Sequence, residues 1–146
     1  MKRKAAKRLL EGLSSQFRNL SAEKVETAKI EDKEVYLFDE ALEFVKDENG
    51  LYPYLGSKYV DSMPKVVVDM GAIRFVCNGA DVMAPGIAEM SDFKEGDLVV
   101  IRDVNHGKAL AIGVANKSSA EIEASKKGKV IRNIHYVGDK LWTMSL

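Results

Sequence analysis

At 146 residues, with 46% apolar and 30% charged side chains, the chain can hold one ordinary domain or two small ones, and it lies far from the composition of disordered chains. Its 22 basic and 22 acidic residues cancel to a formal net charge of +0, so any contact with nucleic-acid phosphate must come from local clusters of Lys and Arg. No run approaches the roughly 20 apolar residues of a membrane helix. The opening Met1-Lys2-Arg3-Lys4 lacks the apolar stretch of a secretory signal, and a lone Cys77 beside only His106 and His135 excludes an internal disulfide and a Cys/His zinc set. A cytoplasmic protein with no membrane segment, no metal and no cofactor is the expectation.

Ala6, Leu9, Leu10, Leu13 and Phe17 recur at three- and four-residue steps, which predicts an amphipathic helix over 2–17. Lys2, Arg3, Lys4, Lys7 and Arg8 lie off its apolar stripe, as a solvated face or as contacts to RNA. Four short strands follow, at 25–30, 35–38, 41–46 and 51–55, separated by polar turns, and predict a small antiparallel sheet. Asn49-Gly50 marks the clearest hairpin, since both residues tolerate positive φ. Between Ser21 and Gly50, ten acids face four lysines; they are expected at solvent-facing strand positions or on a surface for a basic protein. One helical turn is expected within 56–63, and a junction near Met63 divides the chain into 1–63 and 64–146.

From Lys65 the texture changes to short continuous apolar runs: 66–68, 98–101, 110–114, 134–137 and 141–144. Such runs suit strands covered on both sides, as in a closed or nearly closed barrel. Two helices interrupt them. One spans 72–77, between Gly71 and Gly79. The other spans 119–127, with Ser118 and Glu121 spaced as a capping box, Lys126-Lys127 in its last turn and Gly128 to end it.

The run Val68-Asp69-Met70-Gly71-Ala72-Ile73-Arg74-Phe75-Val76-Cys77-Asn78-Gly79-Ala80-Asp81-Val82-Met83-Ala84-Pro85-Gly86-Ile87 combines an Asp-x-Gly-Ala turn, a short helix, a second Gly-Ala pair and a Pro-Gly. It resembles the opening of a PUA domain, an RNA-binding module. Gly96-Asp97-Leu98-Val99-Val100-Ile101, the 111–115 strand and Asn133-Ile134-His135-Tyr136-Val137-Gly138-Asp139-Lys140-Leu141-Trp142 extend the likeness. These segments look most like the malignant T-cell-amplified-sequence family, in an archaeal version. The resemblance implies an α+β architecture: a small N-terminal domain of one helix and an antiparallel sheet, then a C-terminal PUA pseudo-β-barrel with short helices. It implies a non-catalytic, RNA-binding translation factor that meets the small ribosomal subunit or tRNA in initiation or recycling, with structured RNA and a density-regulated-like protein as partners.

In that family the first helix and the following strand line the RNA groove. The resemblance therefore points to Gly71, Ala72, Arg74, Phe75, Asn78, Gly79, Ala80, Met83, Pro85 and Gly86, with Lys108 adding phosphate contact. Glycine admits close backbone approach, Arg74 suits a phosphate and Asn78 a base edge. Against this, Gly71 and Gly79 serve turn geometry alone in an ordinary fold, and Phe75 between apolar neighbours suits a core. Lys126, Lys127, Lys129 and Arg132 form a second basic cluster, as RNA contacts or a solvated helix end. His106 is expected in an exposed loop, His135 packed on a strand, and Trp142 in a core. No nucleophile–base motif or phosphate-loop lysine appears, so an enzyme is not expected. Two other functions remain open: an accessory subunit presenting RNA to a tRNA or rRNA modification enzyme, and a protein-interaction module using the acidic sheet.

Overall fold

A computed structural model of the chain describes residues 1–144 and divides into two units, Met1–Met63 and the remainder from Pro64. The first contains α1 (Arg3–Leu13), β1 (Val25–Ile30), β2 (Lys33–Phe38), β3 (Ala41–Asp47), β4 (Gly50–Pro53) and a 3-10 turn over Lys58–Ser62. The strands form an antiparallel meander in chain order. Its core is aromatic: Phe44 packs against Phe17, Phe38 and Tyr59 with ring centroids 5.2, 5.5 and 5.4 Å away.

Helix α1 stops at Leu13, four residues short of the expected end. Gly12 is a weak helix former, and the hydroxyls of Ser14 and Ser15 donate back to the carbonyls of Glu11 and Gly12, in competition with the helical pattern. Phe17 reaches the core from the following turn and is buried. The β3–β4 hairpin also differs. Asp47 pairs with Gly50, so the loop is Glu48-Asn49, and of the expected pair only Gly50 uses positive φ (+94°). The turn with two left-handed residues is instead Asp39-Glu40 (φ +50° and +73°), closing β2 onto β3. The Asp39 carboxylate accepts from the amides of Glu23 and Lys24, which ties the turn to the chain entering β1.

Two of the ten acids are not solvent-facing. Glu43 is buried, and burial pushes its carboxyl up, against the opposing pull of Lys58 and a Ser57 hydrogen bond. Asp47 has a side chain only 1% exposed. Burial raises its pKa, but Lys33 Nζ and Tyr52 Oη, each 2.6 Å from Oδ2, and the Asn49 amide outweigh that and hold the carboxyl below its ordinary range.

The second unit contains β5 (Lys65–Val68), α2 (Met70–Val76), β6 (Val82–Met83), β7 (Ile87–Met90), β8 (Leu98–Asp103), β9 (Ala109–Ala115), α3 (Ser119–Ser125), β10 (Lys129–Tyr136) and α4 (Lys140–Thr143). The sheet order is β6-β10-β9-β8-β5-β7, with β5–β8 parallel and the other pairs antiparallel. Its two edges, β6 and β7, are consecutive in the chain and joined only by the 3-10 turn Ala84–Gly86. Three residues span about 10 Å at most, so the edges must approach each other and the sheet curls into a nearly closed barrel. Val66, Val68, Val99, Ile101, Ala111 and Ile131 belong to its buried core, and Val76 of α2 and Ile122 of α3 join the same cluster.

Two expectations in this unit are corrected. Residues 141–144 lie not in a strand but in or just after α4, because the Asp139 carboxylate caps that helix through the Trp142 amide (2.8 Å). Helix α3 has the full Ser118–Glu121 capping box but ends at Ser125; Lys126 itself takes the left-handed cap position (φ +54°), two residues before Gly128. Strands β6 and β7 carry no periodic signal and exist through pairing with β10 and β5.

Candidate nucleic-acid interface

Asp69 starts the site. Its carboxylate caps α2 through the Ala72 amide (3.1 Å), and its own amide donates to Gly86 O (2.9 Å), so the Ala84–Gly86 turn is tied to the helix start. A Cβ on Gly86 would lie 3.2 Å from Ala72 Cβ, which shows how closely turn and helix approach. Because the Asp69 carboxylate already caps this end of α2, an anion approaching exposed Gly71 would meet a like charge there.

After α2 the chain doubles back, with the amides of Asn78 and Ala80 both donating to Phe75 O. Gly79 makes the reversal at φ +90°, and a Cβ there would stand 2.9 Å from the Tyr136 ring. Both conditions require glycine. Between helix, reversal and β6 opens a groove of about 300 Å³, in which six expected residues meet: Ala72, Phe75, Ala80, Met83, Gly86 and Lys129. Val76 and Val82 form its buried floor.

Phe75 is 54% exposed and Met83 45%, with Met70 nearby in sequence at 68%. Phe75 is thus not a core residue: it stands on the outer side of a two-turn helix whose inward position is Val76. The Arg74 guanidinium lies over the Phe75 ring at 5.2 Å. Lys129 faces Met83 across the β10–β6 pairing.

Other expected residues fall outside this groove. Pro85 is exposed on a separate cleft with Ile122 and Lys126, Asn78 is exposed at the end of α2, and Lys108 is exposed in the β8–β9 turn that Asp103 organises. Lys126 pairs with Glu123 at 3.5 Å, both exposed; Lys127 and Arg132 are also exposed. Lys2, Arg3, Lys4, Lys7 and Arg8 are exposed in the first unit.

Sequence reasoning passed over Asp81 and Asn133. Asp81 lines the groove and accepts from the Asn133 amide at 3.0 Å. Asn133 Nδ2 donates to Val76 O and Ala80 O at 3.0 and 3.1 Å and so pins the reversal to β10. Asp81 sits inside the quoted motif, but its partner is 52 residues away, and no local pattern connects them.

His135 is fully buried, with Nδ1 2.8 Å from Asp139 Oδ2. Burial raises the pKa of Asp139, yet hydrogen bonds from His135 and the amides of Trp142 and Tyr136 outweigh it and hold the carboxyl below its ordinary range. Burial, then Asp103, push the Cys77 thiol up, away from a reactive thiolate. Among the described residues no group of three or more His, Cys, Asp and Glu could hold a metal, and no helix is long and apolar enough to cross a membrane.

A nearly closed barrel whose first helix and turn border an open apolar groove defines a PUA domain, and the PUA domain model matches residues 64–137. Residues 1–57 match a model described as a domain of unknown function (DUF1947). An uncharacterized protein of Methanocaldococcus jannaschii is 46% identical over 81% of this chain and 75% of its own length. Translation machinery-associated protein 20 of Saccharomyces cerevisiae is 36% identical over 84% of this chain and 73% of its own. The crystal structure of a hypothetical protein from Pyrococcus horikoshii superposes with a TM-score of 0.83 at 31% identity, covering 97% of this chain and 95% of that one. The chain belongs to the PUA-domain family that includes translation machinery-associated protein 20 and malignant T-cell-amplified sequence 1.

Proposed function

We propose that this chain is a non-catalytic RNA-binding factor of the cytoplasmic translation machinery, whose PUA groove takes RNA of the small ribosomal subunit or of tRNA. The observation that carries the reading is the exposed Phe75–Met83 surface around a groove flanked by Arg74 and Lys129. An exposed ring beside cations is the arrangement that stacks a base and meets its phosphate. The name of the yeast relative supports the translation setting. The basic residues of α1 and the Lys126–Arg132 segment add phosphate contacts, and a density-regulated-like protein is the partner to seek.

The test is binding of the purified protein to small ribosomal subunits, with and without tRNA, at two salt concentrations. Salt-sensitive binding that Arg74→Glu weakens, with the thermal melt nearly unchanged, is the expected result. Absence of binding at both salts, with binding to free tRNA instead, would move the protein to RNA-modification chemistry. An Arg74→Glu protein that binds as the wild type does would take Arg74 out of the interface.

A further inference from the structure

Resting on the reading of this groove as an RNA site, we infer that Asp81 makes it selective for an unpaired base carrying an exocyclic amine, and against uracil. Among the described residues the polar side chains lining the groove reduce to two. Ala72, Phe75, Val76, Ala80, Val82, Met83 and Gly86 offer no side-chain hydrogen bond, which leaves Lys129, a donor, and the Asp81 carboxylate, an acceptor. Lys129 is exposed on a flexible stem and suits phosphate, whose position varies.

Asp81 is held in place. One oxygen, Oδ1, accepts from the Asn133 amide at 3.0 Å, and Asn133 is itself anchored to Val76 O and Ala80 O. Oδ2 has no partner among the described residues. A carboxylate facing a polyanion weakens binding unless it receives a hydrogen bond from the ligand, and phosphate has none to give. A base does. Cytosine presents its N4 amine, adenine its N6 amine and guanine its N2 amine, whereas uracil flanks its single N–H with two carbonyl oxygens that a carboxylate repels. Phe75 supplies the face on which that base stacks, and a volume of about 300 Å³ lies at the small end of ligand pockets, which suits one base.

The experiment compares hairpin RNAs with identical stems and a single-stranded 3′ tail of three cytidines or three uridines. Fluorescence anisotropy at low salt reads their affinity for the wild-type protein and for Asp81→Asn. Wild type should prefer the cytidine tail roughly tenfold, the scale of one good base-edge contact. In Asp81→Asn the amide oxygen must turn to the Asn133 N–H, which presents Nδ2, a donor, to the groove. The preference should then disappear or reverse toward uridine. Equal wild-type affinity for the two tails overturns the inference whatever the variant does, as does an unchanged ratio in a variant that melts like wild type. Failure of wild type to bind either tail overturns the RNA reading of the groove and this inference with it.

Discussion

Replacing Phe75 with alanine removes the largest exposed apolar surface of the groove while leaving the barrel interior untouched. Complete burial of a phenylalanine contributes roughly 1.5–3 kcal/mol to folding. With 54% of Phe75 exposed, under half of that is at stake, about 1 kcal/mol, and loss of the Arg74 contact at 5.2 Å adds about 0.5 kcal/mol at an exposed site. A unit of this size loses about 4–8 °C of Tm per kcal/mol, so the melt should fall by about 6–12 °C. Stacking on an aromatic ring contributes about 1–3 kcal/mol per base, which corresponds to a roughly 5- to 150-fold loss of RNA affinity. Anisotropy with the cytidine-tailed hairpin, well below the melt, measures the second quantity and calorimetry the first. Phe75→Tyr, which keeps the ring, should retain binding. An affinity within twofold of wild type would remove Phe75 from the interface; a Tm drop above about 20 °C would show that the ring supports the core.

Further substitutions probe the frame around the groove. Gly79→Ala combines a left-handed φ of +90° with a Cβ 2.9 Å from the Tyr136 ring, and should cost about 2 kcal/mol or more; a melt within about 3 °C of wild type would contradict this. Glu40→Gly relieves a left-handed residue at φ +73° and should raise the stability of the first unit by about 0.5 kcal/mol in urea titration, the gain being reduced by the entropy of glycine. Asp139 and Asp47 both have folded pKa values below the ordinary 3.8, so their contribution is fully present at neutral pH and is lost as pH falls below about 4 through the folded values. Melts recorded from neutral pH into acid should therefore decline, and Asp139→Asn should start lower and decline less; parallel curves would refute the role given to this carboxylate.

Much of the architecture was legible in the sequence because it is written in short-range terms. The 3.6-residue recurrence through Leu13, the short strands β1 to β3 set off by polar turns, and the Ser118–Glu121 capping box all involve neighbours within a few residues, and each appears in the structure. The apolar runs at 66–68, 98–101 and 110–114 likewise became strands β5, β8 and β9. Errors arose where a local pattern had two solutions. The apolar run at 141–144 suits a strand or a short helix until Asp139 caps it, and Asp139 is held in turn by His135. Hairpin chemistry pointed to Asn49-Gly50, yet the two-residue left-handed turn fell on Asp39-Glu40, where the amides of Glu23 and Lys24 hold Asp39 in place.

The sequence by itself therefore determined the class of fold, through periodicity, capping and a glycine-rich motif that are properties of contiguous residues. Only the tertiary structure decided what the groove is. Whether Phe75 faces the core or solvent depends on how α2 rotates so that Val76 meets Ile131 and its barrel neighbours, and on the Ala84–Gly86 turn approaching Ala72. Asp81 lines the groove, and its carboxylate is held by a main-chain amide 52 residues later, on β10. Contacts of that span are set by the closure of the barrel as a whole, and no window of sequence contains both partners.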